Sequence, residues 1–256
     1  MRKLLSSSLL LFLIWLFPLF LFSQNQLLDS LYQDYQTQTG FERLFSGYKY
    51  SHVMMRVDTA ISTKTLTAIE EEMKETELTE SNRYFLYAII AEARGRIEQL
   101  KGNYAKSLDY YRAVYDLAEK VDDNKKYALR GGSVMAIGSY YAQQGLYEKS
   151  NRELFRAVEW YKKSDRKNGE AACYANISQN YQKLSQFDSV LFYSNKALTI
   201  IDDNLNLPYH YAYTFFKASA LNKMELPDST IALIPCLLYT SPSPRDQRGS
   251  RMPSSA

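Results

Sequence analysis

The sequence predicts an all-α chain organised as an α-solenoid, a stack of helix–turn–helix repeats. A set of small, aromatic and turn residues recurs with a period of about forty, and self-similarity at that length marks a repeat architecture. Within each recurrence the apolar residues fall three and four apart, the spacing of one helix face. The 256 residues also include only seven prolines and ten glycines. That is too few for an all-β protein, which turns about every 8 to 12 residues.

The first stretch stands apart from this pattern. Residues 1–23 open with Arg2 and Lys3, run apolar from Leu9 to Phe22, and end at Ser23. A basic stretch, an apolar stretch and a small residue before a cleavage point read as a secretory signal peptide. A retained anchor is the competing reading, because Leu4 to Phe22 could cross a bilayer core of roughly 30 Å. Ser6, Ser7 and Ser8 shorten the apolar core and Pro18 interrupts it, which favours cleavage. Under either reading the rest of the chain is exported. Residues 24–82 are expected to hold divergent helices, since Leu27, Leu28, Leu31, Tyr32 and Tyr35 share a face.

The repeat array is expected over 83–235. Gly95, Gly102 and Tyr104 recur 43 residues on as Gly138, Gly145 and Tyr147, and a further 40 on as Ser178, Ser185 and Phe187. A fourth copy takes Asp188, Ser189, Val190 and Leu191 to Asp228, Ser229, Thr230 and Ile231, and Ser178 to Ala218. In the second copy Val134, Ile137, Gly138 and Tyr141 form the face of a first helix. Gly145 ends that helix, because the closing residue takes a left-handed conformation that glycine reaches cheaply. The next helix carries Tyr147, Ser150, Leu154, Ala157 and Tyr161 on one stripe. Gly138 and Ser150 would let the two helices approach closely, while Ala157 and Ala197 would leave room for the following unit.

This series resembles the tetratricopeptide repeat. The family's small residue, Tyr, Gly, Tyr, small residue and Ala fall on Gly138, Tyr141, Gly145, Tyr147, Ser150 and Ala157. In the third unit they fall on Ser178, Tyr181, Phe187 and Ala197. The first unit departs, with Arg94 and Glu98 where an apolar residue and Tyr are usual and Val114 in place of the late Ala. The period exceeds the family's, which is about 34, as in long-period variants from the exported sensor regions of bacterial membrane regulators. The resemblance implies a right-handed superhelix that binds a peptide or protein segment on an inner wall of first-helix side chains. Carrying the wall positions over gives Glu92, Arg96 and Gln99, then Met135, Ser139 and Gln143. The third unit adds Ala175, Gln179 and Lys183, and the fourth adds Phe215, Asn222 and Lys223. The candidate groove is therefore Arg96, Gln99, Ser139, Gln143, Gln179, Lys183, Asn222 and Lys223, a mixed amide and basic wall suited to an extended backbone.

Residues 236–256 break the period. Pro242, Pro244 and Pro253 alternate with serines and with Arg245, Arg248 and Arg251, and the string resembles translated adapter or vector read-through. It is set aside as a disordered tail. The second helix of the fourth repeat meets it after two turns, so a truncated array without a polar cap is expected. The formal charge of +3 belongs to the two ends, and the remainder is one charge negative. No global basic field is left to attract nucleic acid.

Catalysis needs convergent polar groups, and none are apparent. His52 and His210 lie far apart, Cys173 sits among Ala171, Ala172 and Tyr174, and Gly131 and Gly132 lack the Lys and Ser/Thr of a phosphate loop. Asn176 and Ser178 match a glycosylation sequon, but in mid-helix. No cofactor, metal site or enzymatic role is expected. The expectation is a binding module in the periplasm or on the periplasmic face of the inner membrane. It would be the truncated sensory part of a membrane-bound signalling or transcriptional regulator, or else a free-standing periplasmic scaffold.

Overall fold

The computed structural model describes residues 26–201 and 207–233. The leader, the pair Asp202 and Asp203, and the tail from 236 lie outside the described residues. Among the described residues all regular structure is helical: α1 (26–37), α2 (Gly40–Met54), α3 (Thr59–Glu75), α4 (Glu80–Leu100) and α5 (Tyr104–Leu117) come first. A single 3-10 turn, Ala118–Lys120, leads into α6 (Asp123–Gln143), α7 (Tyr147–Lys163) and α8 (Lys167–Lys183). α9 (Phe187–Ile201), α10 (Leu207–Lys223) and α11 (Pro227–Ile231) complete the order. From α2 onward the helices pair as hairpins, the arrangement of a helical-repeat solenoid. Two compact units divide inside α5, between Ala113 and Val114.

The period has a backbone signature. Gly102, Gly145, Ser185 and Glu225 all take positive φ, at 80°, 72°, 58° and 58°. The next residue returns its N–H to the carbonyl five positions back: Asn103 to Glu98 at 2.8 Å, Leu146 to Tyr141 and Gln186 to Tyr181 at 2.9 Å, and Leu226 to Leu221 at 3.1 Å. This is the Schellman closure, which satisfies carbonyls a helix end would leave unpaired. Glycine supplies the left-handed residue in two of these turns, while Ser185 and Glu225 supply it at a steric cost.

The first unit closes on Leu44, Leu66, Ile69, Met73 and Leu86, all fully buried. Asp58 caps α3 by accepting from the N–H groups of Ala60 at 2.8 Å and Ile61 at 3.1 Å. Between α2 and α3 the Ser51 hydroxyl lies 2.9 Å from that of Ser62 and donates to its carbonyl at 3.1 Å. A hairpin with a small polar contact thus stands in the segment where sequence showed only divergent helices. Charged side chains bind the neighbouring helices. Arg43 pairs with Glu72 at 2.6 Å, Arg94 pairs with Glu70, and Arg83 donates to the Met73 carbonyl at 2.8 Å.

The two departures from the repeat pattern now have physical roles. Arg94 reaches from α4 to α3. Glu98 is buried and accepts from the Asn103 side chain at 2.8 Å, tying the α4–α5 turn where a tyrosine would have packed. That hydrogen bond, with Lys101 and Lys106 nearby, holds the Glu98 carboxyl below its ordinary range.

The second unit is packed mainly through small residues. A Cβ at Gly138 would stand 3.0 Å from Leu154, so α6 and α7 approach there as expected. Ser178 donates to the Val190 carbonyl at 3.2 Å and meets the Ser194 hydroxyl at 3.0 Å. Ala157 and Ala197 are fully buried. The Tyr161 ring is held between Gly131 of α6 and Gly169 of α8, where added methyl groups would collide with it. Gly131 therefore serves packing. The Asn180 side-chain amide, also buried, donates to the Ser150 hydroxyl and to the Asn151 side-chain oxygen Oδ1, both at 2.7 Å. Cys173 lies in the core, and burial pushes its thiol far above the usual range, so it acts as a small apolar residue.

Candidate partner-binding surface

The first helices of the second unit, α6, α8 and α10, adjoin one another in order. The side-chain amide of Gln182 on α8 donates to Ser219 on α10 at 2.9 Å. Equivalent positions stand 40 residues apart, so Gln143, Lys183 and Lys223 form one row and Ser139, Gln179 and Ser219 another. Gln143, Gln179, Lys183, Asn222 and Lys223 are exposed, and so is Phe215. Ser139 is half-buried and spends its hydroxyl on the Met135 carbonyl at 3.1 Å. Met135 packs against the core, and Ala175 belongs to it, so the wall is built from the polar positions and Phe215.

The two candidates in the first unit are differently placed. Arg96 of α4 donates to Glu92 at 2.8 Å, and the Gln99 side-chain oxygen accepts from the Tyr111 hydroxyl at 3.1 Å. Both are engaged in ties within their own unit. Burial pushes the Tyr48 hydroxyl, close to that ion pair, well above the usual phenol range.

The chemistry open to the second-unit wall follows from its groups. An amide side chain offers both donor and acceptor, matching the N–H and C=O of an extended backbone. Lys183 and Lys223 add cations for a carboxylate. Gln182 and Ser219 belong to the same surface and were missed from sequence, although the 40-residue offset aligns Gln182 with Asn222 and Ser219 with Gln179. No cluster of His, Cys, Asp or Glu able to hold a metal occurs among the described residues. None of the described helices is long and apolar enough to cross a membrane.

The helical hairpins define the class of protein, a helical-repeat α-solenoid, and solved structures share it. The chain is similar to BtubC (BKLC) from P. vanneervenii, with a TM-score of 0.64, 10% identity, and coverage of 91% of this chain and 95% of that one. It is similar to a Rap protein complexed with competence and sporulation factor, with a TM-score of 0.61, 16% identity, and coverage of 85% and 58%. The apo form of RapI gives a TM-score of 0.57 at 10% identity, with coverage of 89% and 79%. The chain thus spans little more than half the length of the first Rap protein. No protein-family model matches the chain, and no curated protein does.

Proposed function

We propose that this is a non-catalytic binding module that holds an extended peptide or protein segment along the first-helix wall of its second unit. The exposed row of Gln143, Lys183 and Lys223, beside Gln179 and Asn222, carries the reading. The complex of a Rap protein of similar fold with competence and sporulation factor supports it. The tetratricopeptide-like series at Gly138 and Ser178 supports it as well. The leader-like composition of residues 1–23 supports export to the periplasm or to the periplasmic face of the inner membrane. The longer reading is the sensory part of a membrane-bound signalling or transcriptional regulator. The second reading is a free-standing scaffold, built on the helical-repeat fold that BtubC shares.

Two experiments test these readings. Selection from a displayed library of random peptides should enrich sequences with acidic residues. Replacing both Lys183 and Lys223 by Ala should weaken the selected peptide about tenfold, as expected for losing a charge-assisted contact. Unchanged affinity would remove the binding wall from the proposal. Fusing residues 1–60 to alkaline phosphatase tests export, and a fusion inactive in the periplasm would remove that part.

A further inference from the structure

Large apolar side chains stand exposed on two hairpin turns of the first unit. Val57 and Ile61 lie at the α2–α3 turn, Leu100 and Tyr104 at the α4–α5 turn, and Val57 and Leu100 are each 63% exposed. The two turns share one end of the unit. α2 and α4 adjoin, and α3 returns between them, so both first helices run the same way. α1 begins at that end too, because Leu27 shares a groove with Val53, and Leu28 another with Met54. Single exposed apolar residues are ordinary, but a set gathered on neighbouring turn tips marks an interaction surface. Residues 56–64 and 98–106 also carry four exposed cations, Arg56, Lys64, Lys101 and Lys106, against two acids. Of those acids, Asp58 is committed to capping α3, and Glu98 is buried between Lys101 and Lys106. Asp29, near the start of α1, is the further acid at this end. The apolar run from Leu9 to Phe22 stops four positions before α1, and so joins the unit at this same end.

We propose that this edge of the first unit rests on an anionic membrane surface. Val57, Ile61, Leu100 and Tyr104 enter the boundary between headgroups and acyl chains, while the four cations face lipid phosphates. Tyrosine suits that depth, with an apolar ring and a polar tip. A lipid surface is favoured over a protein partner because the chain's own bilayer-length apolar run is delivered to the edge that carries the apolar tips and the cations. The assignment concerns the first unit alone and does not rest on the peptide-binding reading.

The test labels one position at a time with an environment-sensitive dye. Val57→Cys, Leu100→Cys and Glu77→Cys are each placed in the full chain carrying Cys236→Ser, the remaining Cys173 being fully buried. Glu77 lies in the α3–α4 turn, at the opposite end of the unit. The probes are vesicles of phosphatidylglycerol and phosphatidylcholine in equal parts, doped with a spin-labelled lipid. Dyes at 57 and 100 should be quenched at least about twofold more than the dye at 77. Vesicles of phosphatidylcholine alone should give about half that quenching or less, and Arg56→Gln with Lys64→Gln should lower the quenching at 100 severalfold. Circular dichroism checks that each labelled chain is folded. Equal quenching at all three positions, which tethering by the leader alone would give, would overturn the assignment. So would equal quenching on neutral vesicles, or unchanged quenching at 100 in the folded charge variant.

Discussion

Both units bring helices close at glycines, Gly47 and Gly95 in the first and Gly131, Gly138 and Gly169 in the second, but they differ in the further contacts that join them. In the first, long charged side chains cross between helices: Arg43 to Glu72, Arg94 to Glu70, and Arg83 to a backbone carbonyl. In the second, glycine, alanine and serine bring helices together, and Tyr161 fills the slot between Gly131 and Gly169. Close packing of small residues fixes geometry tightly, because interiors are dense and added volume has nowhere to go. Partly exposed ion pairs tolerate change, since solvent already screens them. The second unit should therefore respond sharply to added methyl groups, and the first should absorb loss of its charges.

Gly169→Ala gives the widest separation. It should cost about 1–3 kcal/mol, because the methyl group meets a ring that is already packed on both faces. Urea unfolding followed by circular dichroism would measure this, and a loss below the error of the fit would show that the slot is slack. The Arg94–Glu70 pair should couple by only about 0.5–1 kcal/mol in a double-mutant cycle, and less at high salt. A coupling larger than the Gly169→Ala effect would reverse the contrast between the units.

Ser185→Gly should stabilise the second unit by about 0.5–1 kcal/mol, because φ is already 58° there and glycine relieves the strain. The midpoint of thermal unfolding would show it, and a lowered midpoint would mean that the serine side chain contributes more than it strains. The smallest effect belongs to Glu98→Gln, and it is felt in full at neutral pH and fades in acid. The folded carboxyl of Glu98 is held below its ordinary value of 4.5, so its contribution is complete above that pH and is lost as acid passes below it. The variant should flatten the acid limb of the stability profile, and an unchanged limb would assign it to other carboxylates.

The same contrast explains what could be read from the sequence. Small residues at Gly138, Ser178, Ala157 and Ala197 recur because stacking requires room at fixed intervals, so periodicity exposed the hairpins of the second unit. The α2–α3 hairpin uses Ser51 and Ser62 for a similar contact, but its ties through Arg43 and Arg94 follow no period. Wall positions Gln143, Gln179, Lys183, Asn222 and Lys223 followed from register and are exposed. Register could not show that Arg96 and Gln99 are occupied by Glu92 and Tyr111, because those contacts depend on side-chain reach.

Gln143, Lys183 and Lys223 each stand two residues before a left-handed turn residue, and at Ser185 and Glu225 that residue is not glycine. These two turns hold strain that a ligand lying across the lysines could offset by favouring the closed ends of α8 and α10. Occupancy of the wall would then appear as slowed amide exchange at Gln186 and Leu226, whose N–H groups close those turns. The array would report its bound state through the solvent protection of its own corners.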